Sequence, residues 1–311
     1  MRLRLPWLVL LAAITAACGG GEAPPSAPAS VAGANPVPPS APGRLLPHRP
    51  GSLRLALIGD SGRGDKPQYD VAAQMQAFRK DFDYDLVLML GDNIYEGSTP
   101  EDYRTKFELP YKPLLQAGVK FYAVIGNHDE PQQHLYPLFN MGGRRYYTFK
   151  PERKGLGAIA GPSVRFFMLD TEHLDLTQVL WLRQQLGASD SDWKIAVFHR
   201  PIYTSGRYAL PAQRLRRLLE PVFLLHGVSV AFSGHEQFYE RTHPQKGIVY
   251  FISGGAGSLR EGDIRRSTLT AAGFDQDYHF MLVEIAGDTL YFQAISRTGA
   301  TVDSGSVALR K

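Results

Sequence analysis

Six short apolar runs constrain this chain more than any other feature, because each ends in a turn signal that carries a polar side chain. Leu53–Ile58 ends in Gly59-Asp60, residues 85–90 in Gly91-Asp92, and 119–125 in Gly126-Asn127. Residues 164–169 end in Asp170-Thr171, 195–198 at His199, and 228–232 in Ser233-Gly234-His235. The runs are short and rich in β-branched and aromatic residues, which predicts buried strands. Helical spacing falls between them. Val71, Met75, Phe78 and Phe82 share one helix face, and Val179, Leu182 and Leu186 follow the N-cap candidate Asp175. Leu215, Leu218, Leu219 and Val222 mark a third helix, expected to break near Pro221. Strands alternating with helices predict α/β architecture. The C-terminal part differs. Strands are expected at 248–252, 279–285, 289–295 and 306–309, with no helix between the last three, as in an antiparallel meander or a second sheet.

In open α/β sheets ligands sit beyond the carboxyl ends of the strands. Here those ends deliver Gly59-Asp60-Ser61-Gly62, Gly91-Asp92-Asn93-Ile94-Tyr95, Gly126-Asn127-His128-Asp129, Val197-Phe198-His199 and Gly234-His235-Glu236-Gln237. Carboxylate, phenol, amide and imidazole together make a ligand set for two hard or borderline metal ions.

The first 18 residues read as an export signal: Arg2 and Arg4, an apolar stretch from Leu8 to Ile14, then Thr15-Ala16-Ala17. Cys18, the only cysteine, follows directly, so no intramolecular disulfide can form. The segment resembles the lipobox of bacterial lipoproteins, which implies a lipid anchor on Cys18; Thr15 departs from the preferred aliphatic residue. Nine prolines among residues 19–50 predict a tether without a core. The expected organisation is therefore signal 1–18, linker 19–50 and one folded domain at 51–311. Expected localisation is the bacterial cell envelope, on a membrane facing the periplasm or exterior. Net charge is +4, and without Arg2 and Arg4 the balance is 32 basic to 30 acidic residues, so charge does not point to a nucleic-acid partner.

From residue 53 to about 259 the blocks, in this order, resemble the calcineurin-like metallophosphoesterases. Tyr95, three residues after Asp92, makes them similar to the small, tartrate-resistant type of purple acid phosphatase. The resemblance implies a four-layer α/β/β/α sandwich with two mixed β-sheets and the site at the strand C-terminal edge. It implies hydrolysis of phosphate monoesters at a dinuclear centre. Asp60 and Tyr95 would bind the first metal, Asp92 would bridge, and Asn127, His199 and His235 would bind the second. His128 would be the catalytic general acid or a phosphate contact. The first metal is expected to be Fe(III) or Mn, and the second Fe(II), Zn or Mn. The chemistry agrees: two cations clamp the ester and lower the pKa of bound water. A phenol binds as phenolate only beside a strong cation.

Gln237 departs from the family pattern, which has histidine there. Its amide oxygen either completes an all-oxygen first site or leaves that site weakened. The expected partners are a phosphorylated small molecule and a membrane. Arg144, Arg145 and Arg200 are candidate substrate contacts, and the rim segments 140–161 and 207–217 are expected to set specificity. Asp170 is expected to orient a ligand or support a loop. His134, His243 and His279 are read as ordinary surface or loop residues, and the glycine-rich stretch at 253–257 as a flexible turn. Two other functions fit the sequence. One is a phosphodiesterase or nucleotidase on the same fold. The other is a metal- or phosphate-binding lipoprotein without turnover, should Gln237 disable the first site.

Overall fold

The computed structural model describes residues 46–152 and 161–311. The signal, Cys18 and most of the proline-rich tether lie outside the described residues, as does 153–160 within one expected rim segment.

Two mixed sheets carry the fold. The first comprises β1 (Leu53–Ile58), β2 (Leu86–Met89), β3 (Lys120–Ala123), β11 (His279–Ala286), β12 (Thr289–Ser296) and β13 (Thr301–Ala308), in the order β13-β12-β11-β1-β2-β3. The second comprises β4 (Tyr147–Phe149), β5 (Val164–Met168), β6 (Trp193–Val197), β7 (Val230–Ser233), β8 (Tyr239–Thr242), β9 (Val249–Ser253) and β10 (Thr270–Phe274). Its order is β10-β8-β9-β7-β6-β5-β4. In the second sheet the central strands β5-β6-β7-β9 are parallel with antiparallel strands on both sides, whereas in the first the parallel strands β1-β2-β3 run out to the edge at β3 and the antiparallel β11-β12-β13 form the other half. The expected C-terminal meander is β11-β12-β13, which extends the first sheet from β1.

Alternation along the strands builds the layers. Phe166 and Met168 of β5 join the core between the sheets with Leu55, Leu57, Val197, Phe251 and Phe292. Phe167 and Leu169 point the other way, into a second core with helices α4 (Leu176–Gly187) and α5 (Ala209–Leu225). On the first sheet, α1 (Lys66–Arg79) buries Val71 and Met75. Two short helices, α2 (Pro100–Tyr103) and α3 (Lys112–Gln116), lie between β2 and β3. Asp65 caps α1, and Asp175 caps α4 as expected, its side chain accepting from Gln178 N–H. These layers are the α/β/β/α sandwich that the resemblance implied.

Three expectations are corrected. The helix at 209–225 is not interrupted: α5 runs through Pro221. Leu219, Val222 and Phe223 bury one face on both sides of the proline, and this packing outweighs one missing backbone hydrogen bond. Residues 209–217 therefore belong to that helix rather than to a rim loop. His279 is fully buried rather than a surface residue, with neither ring nitrogen partnered among the described residues. Burial lowers its pKa to about 4. The folded chain also starts ahead of β1. Leu46 is buried, and the backbone N–H groups of His48 and Arg49 donate to buried Glu284 on β11.

Candidate metal centre

The loops after β1, β2, β3, β6 and β7 meet at one edge. Asp60, Asp92 and His199 are buried, and each offers a ligand atom within 4.8 Å of the others. Asp60, Asp92 and His235 all hold positive φ, at 54°, 51° and 67°. Non-glycine residues seldom adopt this left-handed region, and such strain concentrates at functional sites.

Asp92 presents its two oxygens to different neighbours. Oδ2 accepts from the Tyr95 hydroxyl at 3.0 Å, and that hydroxyl also lies 3.4 Å from Asp60 Oδ1. Gln237 Nε2 donates to the same hydroxyl at 3.1 Å, so its amide reaches this group. Oδ1 faces His199 Nε2 at 3.3 Å and accepts from the backbone N–H of His128 at 2.9 Å. His199 Nδ1 bonds Leu90 O at 2.8 Å, which places the proton on Nδ1 and leaves Nε2 with a free lone pair. Around that nitrogen stand Asn127 Oδ1 and His235 Nδ1, each at 3.2 Å.

The local sequence explains the close approach. A Cβ on Gly126 would lie 2.2 Å from the backbone nitrogen of Asp92, and one on Gly91 only 2.4 Å from His199 Nδ1. Asp129 then clasps two loops: its carboxylate accepts from the backbone N–H groups of Asn93, Ile94 and Gly126.

Electrostatics favour cations here. Burial, and next the charge of Asp92, raise the Asp60 pKa well above the usual carboxylate range. Burial, then Asp60 and Asp92, push the Tyr95 hydroxyl far up, so without a cation it stays a phenol. Burial, with His199 and Arg200 next, depresses the His235 pKa and keeps that imidazole neutral. Burial and Asp92 raise Asp60 more than the nearby charge of Arg260 lowers it, and these crowded acids beside a neutral imidazole form a donor set suited to metal ions.

The remaining candidates are placed as follows. His128 is exposed at the mouth, with its ring 4.8 Å from that of Tyr95. Arg200 is held by Glu172 at 2.8 Å and reaches His235 Nε2 at 3.1 Å. Arg145 is paired with Asp170, and Arg144 is exposed. Asp170 supports its own loop by accepting from the N–H groups of Glu172 and His173. The glycine-rich stretch is a close-packed turn rather than a loose one. A Cβ on Gly255 would meet the His279 ring at 2.3 Å, and one on Gly254 would meet Glu236 O at the same distance.

Sequence reasoning missed Arg63 and Arg260. Arg63 Cζ lies 3.7 Å above the Tyr95 ring, and Arg260 donates to His235 O at 3.4 Å. Glu236 was also missed. It is buried behind the site and accepts from Thr204 Oγ1 and Tyr208 N–H, which ties the β6–α5 loop to the His235 loop. A lone arginine in a turn gives no sequence signal of what it covers.

Comparison with known proteins points to one family and one fold. The family model described as calcineurin-like phosphoesterase matches residues 53–239. Tartrate-resistant acid phosphatase type 5 of Rattus norvegicus is 22% identical over 306 residues, covering 83% of this chain and 91% of that protein. Purple acid phosphatase 4 of Arabidopsis thaliana is 25% identical, covering 68% and 70% respectively. The solved purple acid phosphatase PPD1 of yellow lupin has the same fold, with TM-score 0.65 at 18% identity, covering 84% of this chain and 54% of that one.

Proposed function

The chain belongs to the calcineurin-like phosphoesterase family, and on that premise we propose that it hydrolyses phosphate monoesters at a dinuclear metal centre shared by Asp92. It is a metallophosphoesterase, a metal-dependent hydrolase, with purple acid phosphatases among its relatives. One observation carries the finer reading: the two oxygens of Asp92 face two separate donor sets. Asp60 and Tyr95 would hold the first cation, with Gln237 once its amide turns Oε1 rather than Nε2 toward the Tyr95 oxygen, and Asn127, His199 and His235 would hold the second. The all-oxygen first set suits Fe(III) or Mn, and the imidazole-containing second set suits Fe(II), Zn or Mn. When bound, such a pair neutralises charge on the phosphoryl oxygens and lowers the pKa of water.

The chain's own residues have separate tasks. The His199 Nδ1 bond to Leu90 O fixes the ring so that Nε2 faces the centre. Arg200, held by Glu172, brings a positive charge beside His235 at the mouth. His128 stands at the opening, where an imidazole can give a proton to a departing alkoxide. Its backbone N–H holds Asp92 Oδ1, so the acid and the shared carboxylate belong to one rigid unit. We further propose that Cys18 carries a lipid anchor and that the tether holds the domain at the cell envelope.

The test is metal analysis and hydrolysis of 4-nitrophenyl phosphate by the natural protein and by Gln237→His. Two ions per chain with measurable turnover are expected, and tighter binding of the first ion in the variant. One ion or none, without turnover under any added metal, refutes the reading.

A further inference from the structure

Two arginines outside the donor set stand on one flank of the centre. Arg63, in the turn after Asp60, lies over the face of the Tyr95 ring at 3.7 Å, and its Nε donates to Ser258 Oγ at 3.0 Å. Arg260, two residues beyond Ser258, lies 5.3 Å above the Tyr208 ring. Their side chains are 35% and 19% exposed, so both are partly desolvated.

Their ion pairs are weak. Arg63 reaches Glu96 only at 3.9 Å, and Glu96 is itself exposed. Arg260 reaches Glu236 only at 3.7 Å, and the hydrogen bond that its guanidinium donates to His235 O is 3.4 Å long. Three other arginines are committed to carboxylates at close range. Arg200 holds Glu172 at 2.8 Å, and Arg207 and Arg241 hold Asp263 and Asp303 at 2.7 Å. A guanidinium carries five N–H donors in a planar fork that matches phosphate and carboxylate oxygens. Both guanidiniums keep N–H donors that no carboxylate engages at close range and that can turn to an incoming anion. Asp60 and Asp92 do not act as that anion once cations engage them.

We infer that Arg63 and Arg260 form an anion subsite beside Tyr95 that takes a second anionic group of the substrate. Preferred substrates are then phosphomonoesters that carry a second phosphate or carboxylate. The inference rests on the phosphoester hydrolysis proposed above. Position assigns these arginines to the second group rather than to the reacting one. Arg63 sits over the face of the Tyr95 ring and, with Arg260, flanks Ser258; Arg200 and Arg260 both reach the His235 loop, but Arg200 is held by Glu172 at 2.8 Å.

The test compares two pairs of compounds on the full, metal-loaded chain. Propyl phosphate and 1,3-propanediol bisphosphate are compared as substrates by KM. Propylphosphonate and propane-1,3-bisphosphonate are compared as ligands by titration calorimetry, which needs no turnover. The natural protein should favour the second compound of each pair about tenfold, the worth of one charge-assisted contact. Arg63→Gln and Arg260→Gln should each remove most of that ratio. Arg63→Lys, which keeps the charge, should restore part of it and also checks that Arg63 is not merely needed for folding. A ratio near one in the natural protein, or a ratio that both Gln variants leave unchanged, overturns the inference. Selective bisphosphonate binding without hydrolysis of either ester would instead overturn the proposed function.

Discussion

Asp129→Asn tests whether the loops bearing Asp92 and His128 are built as one unit. Asp129 Oδ1 accepts from Asn93 N–H at 2.7 Å and from Ile94 N–H at 3.0 Å. Oδ2 accepts from Gly126 N–H and from Asn93 Nδ2, each at 2.8 Å. An asparagine keeps one of these oxygens and turns an NH2 group against the other pair of donors, whichever way its amide is oriented. Two buried donors are then unpaired, at about 1–3 kcal/mol each. Removing a buried charge beside Asp92 returns part of that loss. The expected net destabilisation is about 2–4 kcal/mol in the metal-loaded protein, and less in the metal-stripped protein, where Asp92 is not neutralised. Urea unfolding followed by circular dichroism reads this difference, and metal content is measured on the same samples. A loss below about 1 kcal/mol with unchanged metal content would refute the clasp.

The remaining predictions concern the centre. Because burial and Asp92 raise the Asp60 pKa, its contribution to folding is fully present below the unfolded value of about 3.9 and is lost as pH rises through the folded value. Thermal melts of metal-stripped protein should therefore show stability falling above mildly acid pH, with a flatter trend in Asp60→Asn; an unaltered trend in that variant counts against the assignment. Gly91→Ala places a Cβ against His199 at a φ of +90°, and should lower kcat about a hundredfold through ligand displacement. Retained activity would show that the close approach is unimportant. In iron-loaded protein Tyr95→Phe should abolish a visible charge-transfer band; a band that persists removes Tyr95 from the first site.

Much of this arrangement was legible in the sequence because the apolar runs and the polar tips come from the same local rule, a buried strand closed by a tight turn. Residues 53–58 and 279–285 stand in the structure as β1 and β11, with limits at most one residue different. Three strands gave no such signal. β4 is only Tyr147–Phe149, β8 carries Glu240 in its centre, and β10 reads Thr-Ala-Ala-Gly-Phe. Glu240 is buried yet satisfied, accepting from Ser205 N–H and Thr270 Oγ1, so tertiary partners offset what its own side chain disfavours. Pro221 misled for a related reason, since packing on both sides carries the helix across it. Arg63 and Arg260 were illegible because their meaning lies in what they cover: Tyr95, which is 32 residues from Arg63, and Tyr208, which is 52 residues from Arg260.

The central claim is that one carboxylate serves two cations. Its most direct test is metal stoichiometry and affinity for the natural protein beside Asp92→Ala, read by inductively coupled plasma mass spectrometry after equilibrium dialysis. Two ions per chain are predicted for the natural protein, with both sites weakened in the variant. A natural protein that saturates at one ion, or a variant that keeps one ion at undiminished affinity, would contradict the account.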